Sequence, residues 1–506
     1  MRSLLTNGSV YSPADTHATA MAVEDGVVSW IGDDAGADAY ADGADEVFDL
    51  RGRLVTPAFV DAHVHTVQTG AMLTGLDISG ATSLAETLDL VAAHAVSLGP
   101  DEVITSQGWD ETRWPERRPP TAAELDRAGG GRPVYLSRVD GHSAVISSSL
   151  AAQVPGLPAQ PGYGEDGRVE RDAHHAVRDA GDTMIGPDQR LAQGRAAVTR
   201  MTQTGIGAFH EIGAPHIGPD WELPLVLQAA DEAGLHATLY WGQRDAFDLV
   251  DRYGVAGLAG DLNADGAIGS RTAALREPYA DAMTSGHAYL SPEQIAEHVI
   301  ACTERGIAAG FHCIGDAALD NIGRGFELAA EKAGVATLVA ARHRLEHVEM
   351  PSAEVIATLA KCGVVASVQP MFDGLWGGLD GMYAERLGER YAAMNPFADL
   401  ERAGVVLAFG SDSPVTEMGP WQAVRAAAFH HNPAQRLTAP AALEAHTVGG
   451  WRAAGYDDRG VLIPGAAATY AVWDVPGFPD LSSPPPVCLR TVVAGRNVYE
   501  YEGWQG

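Results

Sequence analysis

VTPAFVDAHVHT, running from Val55 to Thr66, is an apolar β pattern that ends in two histidines. Side chains at i and i+2 of a strand share a face, so His63 and His65 point the same way and can grip one metal ion. An HxH pair alone is weak, because the chain has 18 histidines. Three other segments repeat its geometry. FHCIGD puts His312 at the end of the run from Ile307 to Phe311, RLEHVE puts His347 after another apolar run, and AFGSDSPV puts Asp412 after Val405 to Gly410. Each group stands at the C-terminal end of a strand. In a closed barrel of parallel strands those ends form one rim, and that rim carries the active site.

Outward from these motifs, short apolar runs alternate with alanine-rich amphipathic stretches: Leu84 to Leu98, Gln294 to Arg305, Asn321 to Lys332 and Ala353 to Cys362. Such alternation is the pattern of βα units around a parallel sheet. The candidate strands are Thr56 to His65, Val103 to Trp109, Val134 to Val139, Ile206 to His210, His236 to Trp241, Gly257 to Asp265, Ala308 to His312, His343 to His347, Val364 to Gln369 and Val405 to Gly410. They outnumber the strands of an eight-stranded barrel, so at least two belong to insertions. A (β/α)8 TIM barrel needs about 250 residues and tolerates long insertions. The alternative, an open doubly wound sheet, lacks its signature, since no GxGxxG or GxxxxGK[ST] loop follows a strand.

The predicted fold is therefore α/β, with the barrel over residues 55–454. Up to about Leu54 and again after about Gly460, short strands broken by Gly and Asp replace the helical period. Residues 1–54 and 455–506 are expected to form one small β-domain together. Neither piece is long enough to bury much apolar surface alone, so the barrel is expected to depend on it.

Composition narrows the function. The chain has 34 Lys plus Arg against 66 Asp plus Glu, a formal charge of −32, which argues against nucleic acid or an anionic membrane surface as partner. With 46% hydrophobic and 20% charged residues it has the makings of a substantial core. No apolar run reaches ~18 residues, so no membrane span is predicted. The N-terminal residues lack a signal-peptide core, and a cytoplasmic location is expected. The cysteines, Cys302, Cys313, Cys362 and Cys488, show no CxxC spacing and are expected to be reduced thiols. Cys313 follows His312, and alternation turns it to the opposite face as a buried thiol. Imidazoles with a carboxylate suit zinc, nickel, iron or manganese, and the lack of cysteine pairs disfavours a structural zinc site.

At this point the chain resembles the amidohydrolase superfamily, and within it the YtcJ-like, or amidohydrolase 3, branch that includes N-substituted formamide deformylases. The resemblance rests on VTPAFVDAHVH, on GWDETRW from Gly108, SRVDGHSAV from Ser137 and NADGAIGSRTAAL from Asn263, and on HCIGD, LEH and GSDSPV. It implies a metal-dependent barrel beside a β-sandwich built from both chain ends, and it assigns His63, His65, His312, His347 and Asp412 to the metal site. One departure stands out. Many relatives with two metals use a carboxylated lysine from the fourth strand, at or near the position of Asp261, where this chain reads GLAGDLNADG. Its lysines, Lys332 and Lys361, lie in helical patterns. Asp261 is a candidate ligand but a short one, so one divalent ion is expected rather than two, with zinc the expected metal.

The expected reaction is hydrolysis of a non-peptide carbon–nitrogen bond in a small molecule, an N-acyl, N-formyl or cyclic amide or a urea. A divalent ion lowers the pKa of bound water towards ~7, which makes hydroxide available. Asp412 is expected to take its proton and return it to the leaving nitrogen, with His347 or His312 orienting the carbonyl or stabilising its oxyanion. The alternatives are an aminohydrolase of a heterocyclic amidine and, from a different class, a non-catalytic binding protein on a barrel. Trp109 and Asp110, with Trp114, are candidate pocket walls or core. Asp140 and His142 are candidate substrate contacts, and Arg271 is a candidate for a substrate carboxylate. His174 and His175 are expected on the surface. Base rates for enzymes of this size suggest a homodimer.

Overall fold

The computed structural model describes residues 1–99, 103–182 and 185–504. Eight parallel strands follow one another in chain order around a single sheet. They are β1 (Phe59–Val64), β2 (Ile206–Gly213), β3 (His236–Trp241), β4 (Gly257–Leu258), β5 (Ala308–Cys313), β6 (Arg344–His347), β7 (Val365–Val368) and β8 (Val406–Phe409). The sheet closes where Val64 bridges Ser413 in parallel. At the same seam the Asp412 N–H donates to the His63 carbonyl at 2.7 Å, and the His65 N–H to that of Ser413 at 3.0 Å. Gly410 permits this closure, because a Cβ there would stand 2.5 Å from the His63 nitrogen. The barrel with terminal sheets read from the sequence is thus the fold observed.

The two surplus strands lie in the long insertion between β1 and β2. Ile104–Trp109 and Val134–Arg138 pair in parallel and, with Ser143–Ile146 and Arg168–Glu170, form a separate four-stranded sheet. Their apolar pattern is the same as that of a barrel strand. Only long-range pairing separates the two cases.

Two strands differ from the sequence reading. Thr56 to His65 is not one strand. It divides at Ala58, where Leu54–Pro57 pairs antiparallel with Tyr470–Trp473 in a terminal sheet and Phe59 opens β1. Pro57 has no N–H to continue a ladder. The stretch from Gly257 to Asp265 keeps strand pairing only through Leu258, because Gly260 takes φ +86° and turns the chain. A single bridge from Asn263 to His312 restores contact with β5. The turn leaves Asp261 facing the barrel mouth.

Helices cover the outside by burying one stripe each. Ala353–Cys362 buries Val355, Ile356, Leu359 and Cys362, a helical spacing that lays one face on the barrel. It starts at Ser352, whose hydroxyl accepts the Val355 N–H, and ends at Gly363 in the left-handed conformation. Leu359→Ala there would cost about 2–5 kcal/mol.

Both chain ends meet in two sheets. One joins Arg2–Thr6, Ala20–Glu24, Val27–Gly32 and Glu46–Asp49. The other joins Ser9–Val10, Leu54–Pro57, Tyr470–Trp473, Cys488–Val493 and Arg496–Glu500. Leu5, Met21, Val28, Val55, Tyr470, Val472 and Leu489 pack between them. Trp473 ties this layer to the barrel: its indole N–H donates to Thr56 Oγ1 at 2.9 Å, and its ring meets Phe59 edge-on at 5.7 Å. Residues 505 and 506 of the expected C-terminal piece lie outside the described residues.

Candidate metal centre

His63 near the end of β1 is oriented by Glu346 of β6, whose Oε2 accepts from Nδ1 at 2.9 Å. His65, just beyond β1, donates from Nδ1 to the carbonyl of Ile212 at 2.9 Å. A carbonyl only accepts, and Glu346 is ionised, so both rings carry a proton on Nδ1 and turn Nε2 inward as the atom free to take a metal in place of a proton. Burial opposes the charge on Glu346, but Arg344 at 2.6 Å, helped by His63, holds it down to about 2.

The two Nε2 atoms converge with two carboxylates. Asp412 Oδ1 lies 3.3 Å from His63 Nε2 and 3.1 Å from His65 Nε2. Asp261 Oδ1 lies 3.7 Å from His63 Nε2, and its Oδ2 lies 3.5 Å from His65 Nε2. A tetrahedral ion with bonds of about 2.1 Å needs its ligand atoms ~3.4 Å apart, which is the spacing these atoms have. His63 Nε2 and Asp261 Oδ1 are also buried without a hydrogen-bond partner. A divalent cation satisfies both. Burial would raise the Asp412 and Asp261 pKa values, but the surrounding histidines hold both carboxyls well below the usual carboxylate range. For His63 and His65 burial acts downward, and the carboxylates more than offset it.

Two more imidazoles approach from the far side of Asp261. His312 Nδ1 stands 3.7 Å from Asp261 Oδ1, while its Nε2 faces the carbonyl of Gly266 at 3.3 Å. His347 donates from Nδ1 to Gln369 Oε1 at 2.8 Å, and its ring centroid is 4.4 Å from that of His312. Asp261 therefore faces both histidine pairs. Its shortness does not keep it away, because Gly260 bends the chain inward and Gly242 lets the segment approach, a Cβ at Gly242 falling 2.4 Å from the Asp261 carbonyl carbon.

The cavity above these groups, about 60 Å³, is lined among others by Asp140, His142, His175, Arg178, His216 and Asn263. Asp140 and His142 thus reach the site. Asp140 is also held by Arg138 at 2.7 Å and by Ser270, contacts that fix its loop. Burial, followed by the proximity of His312, pushes the His142 pKa down to about 4, so its ring is neutral.

Several sequence candidates lie elsewhere. Trp109 is core: it packs with Trp114, Leu125 and Leu136, and its indole N–H donates to the Leu136 carbonyl at 2.9 Å. Asp110 accepts from Thr112 and pairs with Arg138 at 3.3 Å, outside the metal cavity. Arg271 is taken up by Asp281, which it holds through two nitrogens at 3.0 and 2.6 Å. His174 and His175 are not on the surface. His174 is buried and bonds the Tyr135 hydroxyl at 2.8 Å, and His175 lines the cavity beside His216. Their helix, Arg171–Asp182, packs against the small inserted sheet, which the local charge pattern does not reveal. Cys313 is a buried thiol, with its Sγ 3.6 Å from the Glu346 carbonyl oxygen.

Sequence reasoning missed Glu346, Gln369, Arg178 and His216. Glu346 stood in plain view within RLEHVE, two residues after Arg344, with the spacing that puts both on one strand face. A third cluster of possible metal donors, Asp373 with His430 and His431, lies apart from the cavity above the rim. His430 Nδ1 accepts the Asn432 N–H at 3.0 Å, its Nε2 lies 3.2 Å from Asp373 Oδ1, and His431 Nδ1 bonds the same carboxylate. The trio clamps the helix Pro370–Trp376 to the loop at His430.

A closed barrel whose rim gathers four imidazoles and two ionised carboxylates defines the class of metal-dependent barrel hydrolases. The chain belongs to the amidohydrolase family, whose model matches residues 46–499. It is similar to the Bacillus subtilis (strain 168) protein YtcJ, with 25% identity over 99% of this chain and 100% of that one. It is also similar to an N-substituted formamide deformylase of Arthrobacter pascens, 22% identical over 90% of each. Among solved structures, an uncharacterized metal-dependent hydrolase from Pyrococcus furiosus superposes with a TM-score of 0.72 at 25% identity, covering 94% of this chain and 99% of that one. Among the described residues no helix is long and apolar enough to cross a membrane.

Proposed function

We propose that this protein hydrolyses a non-peptide carbon–nitrogen bond, in an N-acyl or N-formyl compound, a cyclic amide or a urea, with one tightly held divalent ion, zinc. The observation that carries this reading is the convergence of two Nε2 atoms and two ionised carboxylates at 3.1–3.7 Å. His63, His65, Asp261 and Asp412 would hold the ion. Bound there, a divalent cation supplies Lewis acidity and brings the pKa of water near ~7.

The chain's own groups perform the remaining tasks. Asp412, ionised and lining the cavity, takes a proton from the attacking water and returns it to the departing nitrogen, a poor leaving group unless protonated. Glu346 and the Ile212 carbonyl lock the ring orientations of His63 and His65. His312 and His347 face the reacting carbonyl across Asp261 and form a weaker set for any second ion. The walls exclude bulk water, since His63 is fully buried and Asp412 only 6% exposed.

Elemental analysis of protein purified without added metal, together with assays on N-formyl, N-acyl, cyclic-amide and urea panels, tests this reading. Bound zinc with turnover of one of these classes is expected. Ammonia release from heterocyclic amidines with no N-acyl turnover would replace it by the aminohydrolase reading. Failure to bind any divalent ion would favour a binding protein.

A further inference from the structure

We propose that the substrate carries a carboxylate that seats on Arg178 and, on the same fragment, an apolar group that enters the cavity behind that arginine. This rests on the hydrolase reading above and names its substrate class.

Arg178 projects from the helix Arg171–Asp182 into the wall of the metal cavity. Its guanidinium is held by neutral oxygens: the Tyr135 hydroxyl at 3.2 Å, the His216 carbonyl at 3.1 Å and the Gly141 carbonyl at 3.1 Å. No carboxylate lies within ion-pair distance of it among the described residues. Arg138, Arg271, Arg344 and Arg386 each hold one. A guanidinium offers five N–H donors in a planar fork, so donors remain after those contacts, and they are fixed in place. The imidazoles around it add no charge. Burial first, and then Arg178 itself among other neighbours, keeps the pKa values of His174, His175 and His216 below the ordinary range.

The setting makes this cation informative. The chain as a whole carries −32, yet the wall facing the Asp261 and Asp412 carboxylates presents an uncompensated positive group. A planar fork of this kind matches a carboxylate. The sequence candidate for that task, Arg271, is already occupied by Asp281. In the same wall Asn263 and Gln68 each have a buried amide oxygen without a partner. Exchanging O and N of either amide would still leave one polar atom for a ligand to satisfy.

Arg178 also stands at a junction. Together with Gln68 and Ile217 it lines a second cavity of about 170 Å³, whose walls include Val67, Met72 and Val177. A molecule with its scissile bond at the metal donors and its carboxylate on Arg178 directs a neighbouring hydrocarbon group into this space. The class is a small amide, formamide or urea bearing both a carboxylate and an apolar side chain.

Two readouts separate this inference from the hydrolase reading. The first is calorimetric binding of 4-methylpentanoate and its neutral isostere 4-methylpentanamide to the metal-loaded enzyme. The carboxylate should bind at least about tenfold tighter, a difference that Arg178→Gln should remove and Arg178→Lys partly keep. Equal binding of the two probes by the wild type, or an undiminished preference in Arg178→Gln with its metal content intact, would overturn the inference. The second is turnover of N-formyl-leucine against N-formyl-leucinamide. The charged substrate should be preferred by about tenfold or more in kcat/KM, and in Arg178→Gln the ratio of the two kcat/KM values should fall to about one. Equal turnover of both by wild type and variant would sink the inference and leave the hydrolase reading standing. No turnover of these two or of the N-acyl, cyclic-amide and urea panels, with the binding preference intact, would sink the hydrolase reading alone.

Discussion

Glu346 Oε2 accepts the His63 Nδ1–H at 2.9 Å, and the same carboxylate is held by Arg344 at 2.6 Å inside the barrel. The pair joins the metal donors to a buried network in which Arg344 also reaches His210, Ser367 and the Ala62 carbonyl. Ring orientation at the rim is therefore set from below by a charge that water never touches.

Glu346→Gln should lose stability and metal affinity together. It leaves Arg344 buried without its counter-charge, which costs about 3–5 kcal/mol, and it frees the His63 ring, which lowers metal affinity by about 10–100-fold. Chemical denaturation and competitive chelation measure the two effects. Wild-type metal affinity in the variant would show that His63 is held by other contacts.

Metal stoichiometry should be nearer one equivalent than two. Asp261→Asn should weaken binding without abolishing it, since His63, His65 and Asp412 remain, whereas His63→Ala should lose the ion. Two equivalents falling to one in Asp261→Asn would identify Asp261 as a bridge to a second ion on His312 and His347, an arrangement its position between the two pairs permits.

Asp412→Asn should reduce kcat by about 10²–10⁴-fold. The amide oxygen can still face the ion but cannot carry the proton. Metal analysis of the same preparation distinguishes a lost ion from a lost proton carrier. A variant with near wild-type kcat would remove Asp412 from the chemistry.

Arg271→Gln should lower stability by about 1 kcal/mol, discounted for partial solvent screening, and leave KM unchanged, because Asp281 is its partner. A rise in KM for carboxylate substrates alone would return Arg271 to the site.

Asp265 accepts the N–H groups of Ala274, Ile314 and Gly315 at 2.8–2.9 Å, and burial pushes its pKa up to about 6 from 3.8. A raised carboxyl pKa means the folded state keeps the proton longer. Its contribution is greatest below about 3.8 and declines as pH rises to about 6. The stability of wild type relative to Asp265→Asn should therefore fall by about 3 kcal/mol across that interval and stay level above it. Denaturation of chelator-treated protein at several pH values checks this, and a pH-independent difference would contradict it.

What the sequence discloses depends on how local the physics is. His63 and His65 are legible because strand alternation alone aims them together. His312, His347 and Asp412 follow once strand ends are known to share a rim. The inserted strand Val134–Arg138 was legible as a strand but not as a stranger to the barrel, because its pattern is the same and only its partners differ. Asp110 and Arg271 are charged and sit in motifs beside the rim, but each is paired to an ion outside the metal cavity, whereas Asp140, paired to Arg138, also lines it. Arg178 carries the opposite lesson. It sits in a charged amphipathic helix that reads as surface, and what sets it apart is that no carboxylate among the described residues pairs with it, which no local pattern reports.

The pairing of Leu54–Pro57 with Tyr470–Trp473 bears on how the molecule comes into being. The strand that leads directly into β1 has Ser9–Val10 on one side and gains its partner on the other only after more than four-fifths of the chain has been synthesised. Contacts of such long sequence separation fold slowly, since loop closure must precede their reward. The seam edge of β1, beside His63 and His65, likewise has no partner until Ser413 is made. Seam closure between Val64 and Ser413 needs the chain through β8, and the terminal sheets need Tyr470–Trp473, so a chain cut before residue 412 lacks both the seam and one of the two carboxylates.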